Sequence, residues 1–196
     1  VKTAKKLVEN FYEVVAAPDF EKNALKILKN KKNLRVLKVK KFKKKKEQRS
    51  IFAGELIQDV NNKKSTIKAI FGFNKLKKEK IDFFTNVLKF IKSNAIVLFD
   101  QTSLISQSGG QTSRVDSPKN CLYKLKTKQK DKKMAQLFLF SDAFFPFTDS
   151  LELIKNENLK IDVYAPMGSK NDSQIEKFVK DNRLNFFKMS DRHFKH

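Results

Sequence analysis

The chain has 196 residues, 40% hydrophobic and 33% charged, with 19 Phe, one Cys and a formal net charge of +22. That length holds one domain or two small ones with a real core, and the apolar content excludes a disordered polymer. A single cysteine, Cys121, excludes an internal disulfide, and no apolar run approaches the roughly 20 residues that span a bilayer.

These features lead us to expect a cytoplasmic protein with no membrane partner. Residues 1–6 have no long apolar stretch behind them, so no signal peptide is expected, and the first residue is Val rather than Met. The positive charge attracts polyanions or small anionic substrates. Most of it is Lys spread along the chain, so charge by itself is a weak pointer to nucleic acid.

In chain order, residues 2–10 are expected to form a short helix, and residues 11–17 a buried strand that ends at Pro18. Asp19 is expected to cap a helix running to Leu28, with Ala24, Leu25, Ile27 and Leu28 as its apolar stripe. Residues 34–39 read as a second strand. Seven lysines in the nine positions 38–46 repel one another, and a Lys-rich surface loop is expected over 38–50. Residues 51–57 read as one strand, with Gly54 as a bulge or close approach.

Residues 67–73 are a further apolar stretch. Phe83, Phe84, Val87, Leu88 and Ile91 share one face of a helix over 81–91. Ala95 to Phe99 read as a buried strand, Leu104 and Ile105 as part of another, and Gly109-Gly110 as a turn. A second Lys-rich loop is expected at 124–133. Strands at 137–140, 161–164 and 185–187 then alternate with helices from about Asp149 and over 172–179. This alternation predicts a layered α/β fold with a mainly parallel or mixed sheet.

Ser141-Asp-Ala-Phe-Phe-Pro-Phe-Thr-Asp149 joins a buried strand to a helix. Three Phe in four loop positions either fill the core or form an aromatic wall where a strand ends, a usual place for a ligand crevice. Asp149 is expected to cap the helix that follows. There is no zinc-ligand spacing, no glycine-rich phosphate loop and no nucleophile elbow. The remaining polar residues at strand ends are Asn94, Gln111, Arg114, Asp142, Asp149, Ser169, Arg192 and His196. Arg114, behind Gly109-Gly110, is suited to a bidentate clamp on phosphate or carboxylate, or else is an ordinary surface arginine.

Several collinear segments carry a resemblance over nearly the whole chain. They include the Phe loop, Pro166-Met-Gly-Ser169 with Asp172, and the closing Arg192-His-Phe-Lys-His196. Earlier segments are Phe11 to Pro18, Lys31 to Arg35, Gly54 to Asp59, Lys92 to Ile96, and Gly110-Gln-Thr-Ser-Arg-Val-Asp-Ser117. Together they resemble AICAR transformylase, the C-terminal formyl-transfer domain of the bifunctional PurH family of purine biosynthesis. By that resemblance, residues 1–196 are expected to correspond to the second half of that domain, without the cyclohydrolase domain.

The resemblance implies a cytidine-deaminase-like α/β/α fold with a mixed sheet and no zinc. It implies transfer of a formyl group from 10-formyltetrahydrofolate to AICAR. Asn94, Gln111 and Arg114 would contact the AICAR nucleotide. Phe144, Asp149, Ser150, Ser169 and Arg192 would line the folate site, and Ser93 and Asp142 would sit by a potassium ion. His196 would approach the reacting amine.

The family's catalytic Lys-His pair has no counterpart before Lys195-His196, so activity is expected to need an upstream half. The implied partners are a second copy of this chain or that missing half. Two rival readings are a basic nucleic-acid-binding module, whose affinity would fall steeply with salt, and a catalytically inactive partner subunit.

Overall fold

A computed structural model describes residues 1–40, 46–128 and 136–195. The chain divides into two compact units, Val1–Val60 and Asn61–His196.

The first unit carries helix α1 (Lys2–Val8), strand β1 (Val14–Ala17), helix α2 (Lys22–Lys29), strand β2 (Arg35–Lys38) and a hairpin of β3 (Lys46–Ile51) and β4 (Gly54–Asp59). β1 and β2 pair in parallel. A small core of Ala4, Ala24 and Leu28 gathers Leu7, Phe20, Ile27 and Val36.

Four expectations change here. The strand is shorter than residues 11–17 and only half-buried, with Phe11 84% exposed, because one face of this two-stranded sheet meets the core and alternate residues point out. Asp19 does not cap α2; it forms an ion pair with Lys38 at 2.8 Å. Residues 51–57 are not one strand. Phe52 and Ala53 form a two-residue turn between β3 and β4, in the register Ile51↔Gly54, and a Cβ on Gly54 would meet nothing. Of the expected loop at 38–50, residues 46–50 belong to β3 and 41–45 lie outside the described residues.

The second unit holds a six-stranded mixed sheet in the order β5-β10-β9-β8-β6-β7. Its strands are β5 (Ile67–Phe71), β6 (Ile96–Phe99), β7 (Leu104–Ser108), β8 (Leu137–Ser141), β9 (Ile161–Pro166) and β10 (Phe186–Met189). β8, β9 and β10 run parallel, while β5, β6 and β7 pair antiparallel to their neighbours. The helices are α3 (Lys78–Leu88), α4 (Asp116–Lys128), α5 (Asp149–Asn156) and α6 (Asp172–Asp181).

Strand alternation sorts the buried residues into two layers. Val97, Phe99, Phe138, Phe140, Tyr164 and Phe187 face α3, which contributes Ile81, Phe84 and Leu88. Ile96, Leu98, Leu137, Leu139, Val163 and Phe186 face the other way, towards Leu122, Leu151, Ile154, Ile175 and Val179 of α4, α5 and α6. Helices on both faces bury the central strands completely, which is why these strands read as unbroken apolar runs.

Much of the α3 layer is aromatic. Phe84 stacks on Phe99 at 3.9 Å between centroids, Phe140 on Tyr164 at 4.4 Å, and Tyr164 on Phe187 at 4.8 Å. The second Lys-rich loop is also corrected: residues 124–128 are the last turn of α4, anchored by buried Cys121, Leu122 and Leu125 at helical spacing. The rest of that loop, up to residue 133, lies outside the described residues.

Candidate functional site

The register brings the polar residues to one end of the sheet. Ile96 pairs with both Ser141 and Ser108, so the start of β6, the end of β7 and the end of β8 lie side by side. Met189 pairs with both Pro166 and Ile67, which adds the ends of β9 and β10 and the start of β5. All three parallel strands therefore deliver their carboxyl ends to this edge, where α/β sheets open crevices for ligands.

Asn94 precedes β6. Its backbone and side-chain N–H groups both donate to the carbonyl of Gln111, at 3.3 and 2.9 Å. The Gln111 amide donates to Gly109 O and accepts from Asn120 Nδ2, each at 3.0 Å. This close approach requires glycine at 109: a Cβ there would lie 2.2 Å from Ile91 Cγ2 and 2.9 Å from Lys92 O.

Asp142 is fully buried at the end of β8, and its Oδ1 accepts from Arg114 Nη1 at 2.5 Å. Its Oδ2 has no hydrogen-bond partner among the described residues. Arg114 is therefore tied within its own chain, with its side chain 13% exposed. Ser93 precedes Asn94 and binds Lys195: Ser93 N–H donates to Lys195 O at 2.9 Å, and Lys195 N–H donates to Ser93 Oγ at 3.1 Å.

The Phe loop divides its three rings. Phe145 is core, Phe147 is 59% exposed, and Phe144 is half-buried beneath the Arg192 guanidinium, 4.6 Å from the ring centroid. Arg192 Nη2 also donates to Gly168 O at 3.4 Å. Gly168 follows β9 with φ at +119°, a conformation L side chains resist, and a Cβ on it would press on Arg192 Nη2 at 3.1 Å.

Ser169 is held by Asp172, whose carboxylate accepts from Ser169 Oγ at 2.7 Å, Ser169 N at 2.9 Å and Gly168 N at 2.7 Å. Burial pushes the Asp172 carboxyl up, but these bonds and nearby Lys188 outweigh it and leave it below the ordinary range. Asn171 Nδ2 donates to Pro146 O at 2.8 Å, joining this turn to the Phe loop.

Asp149 is the first residue of α5 rather than its cap. Thr148 holds the cap position, and Asp149 Oδ1 accepts from Ser150 N at 2.6 Å. Asp149 lines a depression of about 390 Å³ between α4 and α5, with Asp116 and Lys119. Ser150 is buried, and its Oγ has no partner among the described residues. His196 lies outside the described residues.

His193 escaped the sequence reading, although it sits inside the terminal motif. It is fully buried, its Nε2 lies 2.7 Å from Ser65 Oγ, and its Nδ1 lies 3.3 Å from Asn61 Nδ2. Burial, then Lys89, push its pKa down to about 4. Its partners stand 128 and 132 residues away in sequence, and no local pattern signals them.

Among the described residues, no group of three or more His, Cys, Asp or Glu side chains could hold a metal ion, and no helix is long and apolar enough to cross a membrane.

Comparison with known proteins converges on one family. A family model described as the AICARFT/IMPCHase bienzyme matches residues 1–124. The bifunctional purine biosynthesis protein PurH of Fusobacterium nucleatum subsp. nucleatum is 37% identical over 198 residues, covering 99% of this chain and 38% of its own length. The PurH of Persephonella marina is 36% identical over 203 residues, covering 100% of this chain and 39% of its own length. That of Buchnera aphidicola subsp. Baizongia pistaciae is 32% identical over 204 residues, with 99% and 38% covered. The chain thus spans less than two-fifths of the length of these curated relatives.

Proposed function

For this chain, which belongs to the AICARFT/IMPCHase bienzyme family, we propose a part in purine biosynthesis as the folate-binding portion of a formyl-transfer site. The reaction is the one the family resemblance implies. The 5-amino nitrogen of AICAR attacks the formyl carbon of 10-formyltetrahydrofolate. A new C–N bond forms, the bond from that carbon to N10 breaks, and a proton passes from the amine to N10. The products are FAICAR and tetrahydrofolate.

The single observation that carries the reading is the Arg192–Phe144 shelf beside Gly168, at the carboxyl ends of β8 and β9. A flat, electron-rich pterin or benzoyl ring fits such a shelf by stacking on Phe144 and meeting the guanidinium. Ser169, Asp149 and Ser150 complete the folate side. Ser150 Oγ is buried and has no partner among the described residues.

On the nucleotide side, Asn94, Gln111 and Arg114 lie at the adjoining strand ends. Pairing with Asp142 fixes the Arg114 guanidinium in place, so that it meets an anionic nucleotide without first losing its own side-chain freedom. A potassium ion beside Ser93 and Asp142 also fits, since Asp142 Oδ2 is a buried carboxylate oxygen without a partner among the described residues. Such an ion would play a structural part there.

Proton transfer is assigned to the Lys-His pair that the resemblance puts upstream, with His196 near the amine. A complete site then needs a second copy of the chain or the upstream half. We also place the protein in the cytoplasm, and we relate its layered sheet to the cytidine-deaminase-like fold.

Calorimetric titration with a non-reactive 10-formylfolate analogue, AICAR present, tests the reading. Saturable binding is expected, weakened by about 1–3 kcal/mol in Phe144→Ala, the range for stacking on an aromatic side chain. A folded chain that gives no heat would sink it. The nucleic-acid reading would be favoured instead by oligonucleotide binding whose log affinity falls steeply with log salt.

A further inference from the structure

The last described residues form a strap across the carboxyl edge of the sheet. Ser190 is tied to Thr66 by two bonds of 3.0 Å, Ser190 N to Thr66 O and Thr66 N to Ser190 Oγ. His193 N donates to Asp142 O at 2.9 Å, and Lys195 is clipped to Ser93. Side chains along the strap alternate. Arg192 and Phe194 are exposed and His193 between them is buried, as a period of two along extended backbone dictates.

The hydrogen bonds around His193 define its protonation. Asn61 Oδ1 accepts from Lys63 N at 3.3 Å, which fixes the amide so that its Nδ2 faces the imidazole. An amide nitrogen only donates, so Nδ1 must accept and carries no hydrogen. The proton then sits on Nε2 and is donated to Ser65 Oγ, 2.7 Å away.

We propose that neutral, Nε2-protonated His193 is a positioning residue that locks the strap against Ser65 and Asn61 and thereby holds Arg192 over Phe144. Its effect on ligand binding rests on the folate reading above; its effect on the strap does not. The side chain inserts between the 61–65 segment and the strap, and its immediate neighbour Arg192 inherits that fixed backbone. Removing the anchor frees the guanidinium from the ring.

The test combines two readouts on His193→Leu, His193→Gln and Ser65→Ala. Nitrogen NMR of the wild-type imidazole should show Nε2 protonated and Nδ1 bare. The Arg192 side-chain protons should carry a ring-current shift from Phe144. That shift should vanish in His193→Leu and return in part in His193→Gln, which keeps one donor and one acceptor.

In parallel, the affinity for the 10-formylfolate analogue should fall about tenfold in His193→Leu, with AICAR affinity held within about twofold. Ser65→Ala, which removes one bond and no core volume, should give a smaller loss and serves if His193→Leu does not fold. An imidazole protonated on Nδ1 overturns the proposal. So does an unchanged Arg192 shift in folded His193→Leu, or in Ser65→Ala if only that variant folds. Should the wild type fail to bind the analogue, the folate reading falls, and the NMR readouts still decide the role of His193.

Discussion

Asp142 and Arg114 show how one buried charge sets the character of the site. Taking a carboxylate out of water is costly, and here the Arg114 guanidinium meets its Oδ1, while the strap's His193 N–H binds the backbone carbonyl of the same residue. Asp142→Asn leaves Arg114 with its charge and no counter-charge beside it. Urea unfolding should show a loss of about 3–5 kcal/mol, the usual cost of breaking a buried pair. Asp172 gives a prediction in pH. Its carboxyl is held below its ordinary value in the folded chain, so its contribution to stability is present above that value and lost as pH falls through the folded value. Replacing it with Asn should flatten the fall in Tm as pH drops through and below the ordinary carboxylate range, read by calorimetry at several pH values. Much at this scale was legible in sequence: Arg192, Phe144, Asn94 and Asp142 all stand at strand ends as the motifs suggested. His193 was not, because its meaning lies in Ser65 and Asn61, far away along the chain.

At the scale of the element, burial decided what could be read. β8 and β9 are covered on both faces, so Leu137 to Ser141 and Ile161 to Pro166 stand out as compact apolar runs. α4 did not stand out, because Lys119, Lys124 and Lys126 punctuate a helix whose apolar face is only Cys121, Leu122 and Leu125. The β3–β4 hairpin is hidden in a loop expected at 38–50 and a strand expected at 51–57, because Phe52 and Ala53 are not the usual residues of a two-residue turn. Ile51, Phe52, Leu56 and Ile57 are all at least half exposed, so apolar character there did not mean core. α3 is the opposite case. Phe84 is 1% exposed and touches the rings of Phe83, Phe99, Phe138 and Phe140. Phe84→Ala should cost about 3–5 kcal/mol in chemical denaturation, through lost burial and a cavity in the aromatic layer.

For the molecule as a whole, the large positive charge turned out to say less than the order of the motifs. Lysine is spread over both units, whereas the residues that build a site gather at one edge of one sheet. The α/β class followed from alternating strands and helices in the second half. The alternation left a mainly parallel or a mixed sheet open, and the sheet is mixed; which strands run antiparallel, β5, β6 and β7, depends on pairings between distant segments. The central claim is that this carboxyl edge binds a folate with AICAR. Backbone amide NMR of the labelled chain, with the 10-formylfolate analogue added in the presence of AICAR, tests it most directly. The account predicts shift changes that cluster at Asn94, Gln111, Phe144, Ser150, Gly168, Ser169 and Arg192 and saturate together. Changes confined to residues 1–60, or none in a folded chain at saturating ligand, would contradict it.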